Sequence, residues 1–150
     1  MKTVAISGGF DPVHIGHIRL IHEARALGDR LVVILNNDNW LMAKKGFVFM
    51  NQNERKAILE AMRDVDEVVI TEHLENPNDM SITKELAMIR PHIFANGGDR
   101  DKKDADNASS SLNPEQKLCR ELNIELVLNV GGEKAQSSSE LVKRVRQLGK

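Results

Sequence analysis

The chain has 150 residues, with 21 lysines and arginines balanced by 22 aspartates and glutamates, so it has no strong electrostatic field for duplex nucleic acid or an anionic membrane. Its length predicts one compact domain with its own core, and its scarcity of aromatic residues, with no tyrosine, argues against a base-stacking surface for single strands. A lone cysteine excludes an intrachain disulfide, and the lack of an apolar span or signal-peptide pattern predicts a cytoplasmic location.

The first half of the chain alternates between apolar and amphipathic segments. An apolar run at 3–6 predicts a strand, and helical periodicity follows over 18–27. A β-branched run at 30–35 predicts a strand buried on both faces. The segment from Asn36 to Phe49 is predicted to be a loop, and the residues 51–54 provide a cap for a helix that continues to residue 62.

The second half continues the alternation. A strand is predicted at 67–70, and a helix that opens at 79–82 is closed by Pro91. A fourth strand at 92–95 and a fifth at 124–128 follow. Helical patterns at 115–122 and at about 138–148 complete the chain. Residues 1–150 are therefore expected to form a single domain.

This order of elements predicts an α/β fold. A Rossmann-like, doubly wound parallel sheet of five strands in the order 3-2-1-4-5, with helices on both faces, is the arrangement that right-handed crossovers favour. The chain then reverses direction between the first and fourth strands, where ligands bind at the carboxyl ends. The loops at that point, 8–17 and 96–101, are glycine-rich and polar. A long polar segment at about 101–113 is predicted to be mobile, either disordered or a lid over the crevice.

The turn after the first strand is the most informative segment. Gly8 and Gly9 lead from the strand into a helix, and backbone N–H groups at such a helix start bind phosphate. His14 and His17 stand on either side of Gly16 at the same corner. Metal ligation is the alternative for two histidines, but no zinc-site spacing accompanies them. The pattern therefore predicts chemistry on a phosphate.

Two motifs in the chain resemble those of a known family. The segment from Gly9 to His17, GFDPVHIGH, resembles the HxGH signature of the cytidylyltransferase-like nucleotidyltransferases. The segment from Gln136 to Lys143 is similar to their second signature, a turn rich in serine and threonine that opens the final helix. The resemblance covers essentially the whole chain. It is greatest to the small enzymes that activate glycerol phosphate, heptose phosphate and similar esters.

The resemblance implies a reaction. CMP or AMP would pass from CTP or ATP to a sugar or polyol phosphate by direct in-line attack on the α-phosphorus, with release of pyrophosphate. No covalent enzyme intermediate is implied, so catalysis would rest on positioning and on stabilisation of charge. The family also implies Mg²⁺, here held through phosphates and water with no side-chain ligands. A homodimer is expected, with no nucleic acid or membrane as partner.

Residue roles follow from the resemblance. Four residues are predicted to be catalytic: His14 and His17, which would donate hydrogen bonds to the phosphates, and the phosphate-contacting Lys44 and Lys45. Nucleotide and phosphate binding is implied for residues of the first turn, the loop after the fourth strand, the serine turn and one arginine: Gly8, Gly9, Phe10, Asp11, Gly16, Arg55, Gly97, Asp99, Gln136, Ser137, Ser138 and Ser139. For Asp11, ordering of the turn is an equal alternative.

Two basic positions bear further on phosphate binding. Arg55 stands near a helix N-terminus, where a cation is unfavourable unless an anion compensates it, and this is a physical argument for a phosphate there. The glycerol-phosphate enzymes carry an arginine shortly before the serine turn, and this chain does not. Lys134 is the candidate replacement for that missing charge.

Other functions compete with this interpretation. Nicotinate mononucleotide and pantetheine phosphate adenylyltransferases share a similar first signature. A non-catalytic nucleotide-binding module is an alternative of another class, although both signature histidines are present. A dinucleotide-binding oxidoreductase would need a Gly-x-Gly-x-x-Gly turn, which is missing, even though Asp38 resembles the acid that follows the second strand in such domains.

Overall fold

The computed structural model describes residues 1–97, 112–132 and 136–149. The strands in these ranges are β1 (Thr3–Gly8), β2 (Arg30–Leu35), β3 (Glu67–Ile70), β4 (Ile93–Gly97) and β5 (Glu125–Val130). The helices are α1 (Ile15–Ala26), α2 (Asp38–Lys45), α3 (Gln52–Glu60), α4 (Thr83–Ile89), α5 (Leu112–Glu121) and α6 (Ser138–Leu148). All strand pairs are parallel, in the order β3-β2-β1-β4-β5. The predicted fold class and strand order are confirmed.

Helices cover both faces of the sheet. Successive strand residues point to opposite faces, so each strand contributes side chains to two cores. On one face, Val4 and Ile6 of β1 pack with Ile21 and Ala24 of α1 and with Leu59 of α3. The other face is covered by α4 and α5. Its core consists of Ala5, Ile34, Ile82, Leu86, Phe94, Cys119 and Ile124. This double cover explains why the strands are continuous apolar runs rather than alternating ones.

The loop predicted from Asn36 to Phe49 is wrong in part, because it contains the helix α2. The Asn37 side chain caps this helix by accepting the N–H of Trp40 at 2.9 Å, and Gly46 ends it with a left-handed φ of 80°. A helix start at asparagine and an end at glycine are both ordinary signals. These two signals did not lead to a predicted helix because the segment between them is short and buries only Leu41.

Other boundaries agree more closely with the sequence. Asn51 caps α3 by accepting the N–H of Glu54 at 2.9 Å, as predicted. The helix before Pro91 ends at Ile89, although it begins at Thr83 rather than at 79–82. The predicted mobile segment at 101–113 lies outside the described residues as far as 111, and its last two residues begin α5. Within the described ranges, no helix is long and apolar enough to span a bilayer.

Candidate active site

The turn after β1 lies at the carboxyl edge of the sheet, between the neighbouring strands β2 and β4. A Cβ added to Gly8 would lie 3.1 Å from the Phe10 ring, and one added to Gly9 would lie 2.9 Å from Cδ2 of Leu41. Phe10 itself has a left-handed φ of 49°. The turn is therefore packed tightly against its own aromatic residue and against α2, and it holds the start of α1 in place.

The two signature histidines cap α1 reciprocally. Nδ1 of His14 accepts the N–H of Gly16 at 3.1 Å, and Nδ1 of His17 accepts the N–H of His14 at 3.2 Å. This is the capping-box arrangement with imidazoles in place of the usual side chains. The two rings stack with centroids 3.9 Å apart, and the Phe10 ring lies 4.7 Å from that of His17.

This geometry fixes where each imidazole carries its proton. Because Nδ1 of each ring accepts a backbone N–H, the proton of the neutral ring resides on Nε2, and that atom is a hydrogen-bond donor. Burial, and after it the neighbouring His14 and the ammonium of Lys45, together lower the pKa of His17 to about 3. His17 is therefore a neutral donor at physiological pH.

The serine turn contacts the first motif although the two contacting residues, Pro12 and Ser138, are 126 positions apart in sequence. Oγ of Ser138, which is buried, donates to the carbonyl of Pro12 at 2.7 Å. A Cβ added to Gly16 would lie 2.9 Å from Cε1 of His14 and 4.0 Å from the backbone nitrogen of Gln136. Ser137 caps α6 by accepting the N–H of Glu140. Two helix N-termini, α1 and α6, thus meet at one corner.

Arg55 is fully buried beneath this corner. Its Nε donates to the carbonyl of Met50 at 2.9 Å, and its Nη1 donates to the carbonyls of Gly9 at 2.8 Å and Asn36 at 2.6 Å. Its Nη2 donates to Oδ1 of Asp38 at 2.7 Å. The anion expected beside this cation is thus supplied by the protein. Four of the five guanidinium N–H groups hold protein oxygens, and phosphate binding by Arg55 stays a prediction.

Asp11 has a similar tying role. Its two carboxylate oxygens accept the N–H groups of Phe49 at 2.6 Å and Met50 at 2.7 Å, and the residue is 1% exposed. Of the two roles open for Asp11, ordering of the turn is the one for which the structure gives contacts. The carboxylate pins the segment after α2 to the first turn.

The remaining predicted residues differ in burial and in their position at the site. Lys45 is half-buried and close enough for its charge to act on His17, whereas Lys44 is exposed on the same helix end. Ser139 is exposed beside Ser138. Gly97 ends β4, where an added Cβ would lie 2.8 Å from the carbonyl oxygen of Val130. Asp99 and Lys134 lie outside the described residues.

Comparison with known proteins agrees with this geometry. The family model for cytidylyltransferase-like proteins matches residues 5–145. The chain belongs to that family. It is 38% identical over 105 residues to the bifunctional protein HldE of Aliarcobacter butzleri, a match that covers 69% of this chain and 21% of that protein. It is 35% identical over 111 residues to the ethanolamine-phosphate cytidylyltransferase of Arabidopsis thaliana, which covers 73% of this chain and 26% of the relative.

This cytidylyltransferase-like chain therefore spans about a quarter or less of the length of these two relatives. A solved structure that matches this chain over nearly its whole length has the same fold. The lipopolysaccharide core biosynthesis protein of Thermoplasma volcanium superposes with a TM-score of 0.62 at 23% identity, over 91% of this chain and 98% of that one.

Sequence reasoning missed several residues at the carboxyl end of β2 in this family member. Asn36 is 4% exposed, and its main chain links Gly8 to Arg55. Asn37 donates its N–H to Oγ1 of Thr71 at 3.0 Å, and Oγ1 of Thr71 pairs with Nδ1 of His73 at 2.8 Å. The usable signal was position, because polar residues directly after a buried strand face the ligand edge of such a sheet.

Proposed function

We propose that this protein transfers a nucleotidyl group, CMP or AMP, from a nucleoside triphosphate to a sugar or polyol phosphate. A phosphate oxygen of the acceptor attacks the α-phosphorus and forms a new P–O bond. The bond from the α-phosphorus to the bridging oxygen of the β-phosphate breaks in the same displacement, and pyrophosphate leaves with that electron pair. No enzyme nucleophile takes part.

The observation that supports this proposal is the pair of imidazoles at the start of α1. Each ring accepts a backbone N–H at Nδ1, which places the proton of the neutral ring on Nε2, so His17 can donate to a ligand without first changing tautomer. Donors fixed in this way stabilise charge that develops on phosphate oxygens without reorganisation during the reaction. The N-terminus of α1 adds the favourable end of a helix dipole at the same place.

Other residues of the site take complementary roles in the proposal. Lys45 supplies a positive charge beside the neutral donor His17, since its ammonium already acts on that ring. The N-terminus of α6, with Ser137 and Ser138, would hold the β- and γ-phosphates, because Ser138 fastens this helix to the first turn. Gly97 and Asp99 would lie beside the base and ribose. Arg55 and Asp11 position the turn.

Mg²⁺ enters this proposal as a complex with the triphosphate. In the part of the chain that the structure describes, no group of three or more His, Cys, Asp or Glu side chains could hold a metal ion. Both oxygens of Asp11 already accept backbone N–H groups. The described residues therefore offer no side-chain metal cage, and no step is assigned to the ion. A homodimer also stays a prediction.

The test is a matrix of donors and acceptors. CTP, ATP, GTP and UTP are each incubated with Mg²⁺ and with sugar phosphates, glycerol 3-phosphate, ethanolamine phosphate, nicotinate mononucleotide and 4′-phosphopantetheine, and pyrophosphate release is measured. We expect release with CTP or ATP and with a sugar or polyol phosphate. Release only with one of the last two acceptors would favour an adenylyltransferase of those types. Release from no pairing would contradict catalysis and favour a nucleotide-binding module.

A further inference from the structure

Two amide side chains at the carboxyl edge of the sheet carry buried atoms without a hydrogen-bond partner. Over the described ranges these are Oδ1 of Asn36 and Nδ2 of Asn96. Asn36 follows β2, and Asn96 precedes Gly97 in β4. Buried polar atoms in folded proteins nearly always have a partner, because an unmet donor or acceptor destabilises the folded state. Each of these two atoms is therefore a candidate contact for a bound molecule.

Both side chains belong to the face of the sheet opposite α1. Ile34 of β2 and Phe94 of β4 pack in the core beneath α4 and α5, and side chains two residues apart on a strand share a face. The N–H of Asn36 still donates to the carbonyl of Gly8 at 2.9 Å, so the strand geometry continues to that residue. Asn36 and Asn96 therefore extend the rows of Ile34 and Phe94, whereas the histidine motif lies on the α1 side.

The two side chains flank the end of β1, the central strand of the crevice. Neighbouring strands are about 4.8 Å apart, so β2 and β4 are about 10 Å apart across β1, and the register, in which Leu35 pairs with Gly8 and Phe94 with Ala5, staggers Asn36 and Asn96 by two residues, or about 7 Å, along the strands. The two residues are thus about 12 Å apart, and a hydrogen bond of about 2.9 Å at each end leaves roughly 6 Å between the two ligand atoms. That is the separation of oxygens on carbons a few positions apart in a sugar or a polyol.

We propose that Asn36 and Asn96 bind hydroxyl groups of the acceptor, which makes the acceptor a polyhydroxylated phosphate ester. This inference rests on the proposed function and deepens it. A hydroxyl can donate to Oδ1 and another can accept from Nδ2, so one such molecule satisfies both atoms. An ammonium group has no lone pair for Nδ2, and an apolar body would leave both atoms unmet.

The experiment compares acceptors that differ only in their hydroxyls. Pyrophosphate release is measured for glycerol 3-phosphate against propyl phosphate, and for ribose 5-phosphate against 2-deoxyribose 5-phosphate, with ethanolamine phosphate as the cationic case. We expect kcat/KM to be at least tenfold higher for the best hydroxylated ester. Asn36→Leu and Asn96→Leu should each lower that preference at least tenfold, while the KM for the triphosphate changes less than threefold. Asn53→Leu, at an exposed asparagine on α3, is the matched control.

Three results would overturn the inference: the same preference in both variants, an effect on the triphosphate KM instead, or a preference for ethanolamine phosphate in the wild-type protein. Folding is checked by melting temperature, which should not fall in Asn36→Leu, since the change removes an atom that has no partner. A clear fall would mean that the oxygen has an internal partner and would also count against the site.

Failure of the proposed function is recognisable separately. If the wild-type protein releases no pyrophosphate with any ester, binding of the same hydroxylated esters is measured by calorimetry without a triphosphate. Binding that is lost in Asn36→Leu and kept in Asn53→Leu would support the asparagine site alone. No binding to the wild-type protein would overturn it.

Discussion

His17 has two functions on different ring nitrogens, capping of α1 through Nδ1 and the proposed donation to phosphate through Nε2. The two functions can be separated by mutation. Asparagine places its Oδ1 near the position of Nδ1, so His17→Asn can still accept the N–H of His14 but offers no donor at the position of Nε2. We expect turnover to fall about 10²–10³-fold, the range seen when one fixed donor to a developing oxyanion is removed. The measurement is kcat for pyrophosphate release with the acceptor found in the substrate matrix.

The control for this change is the helix that His17 caps. Far-ultraviolet circular dichroism and the melting temperature of His17→Asn should resemble those of the wild-type protein, whereas His17→Ala, which also removes the cap, should melt lower by an amount worth about 1 kcal/mol. Equal turnover in His17→Asn and wild type would show that Nε2 is not a donor in the reaction.

At the scale of elements, Arg55 joins the turn after β1, the end of β2 and the start of α2 through one guanidinium. Arg55→Lys keeps the charge but offers one nitrogen to acceptors that lie in several directions. We expect the free energy of unfolding, measured in urea, to be roughly 2–4 kcal/mol lower, because buried carbonyls and a carboxylate lose partners. Arg63→Lys, at an exposed arginine, should stay within about 0.5 kcal/mol. Unchanged stability with weaker binding of phosphate ligands would instead support direct contact with phosphate.

The same elements show what the sequence could predict. Strand runs such as Leu31 to Leu35 are apolar throughout because both faces are covered, so their number and order followed from the pattern. The helix α2 was not predicted because the residues between its caps show little apolar periodicity. The partners of Arg55 and the unmet atom of Asn36 depend on contacts between segments far apart in sequence. No local pattern encodes such contacts, although the position of Asn36 after a strand was a usable sign.

For the whole molecule, the low pKa of His17 predicts a pH-dependent stability. Its pKa falls from an ordinary value of 6.5 to about 3, so between those values the unfolded chain binds a proton that the folded protein does not. The free energy of unfolding is therefore unaffected by this group above about pH 6.5. It decreases as the pH falls toward 3, by up to about 1.4 kcal/mol per pH unit.

Urea unfolding at pH 7 and pH 5 tests this. Wild type should lose about 2 kcal/mol more than His17→Asn between the two values, because the variant lacks the titrating group in both states while other groups, such as Asp29 and Glu72 with their lowered pKa values, titrate alike in both proteins. Parallel losses in the two proteins would mean that the folded state admits a proton at His17 as readily as the unfolded chain does. The neutral-donor arrangement at the start of α1 would then be incorrect.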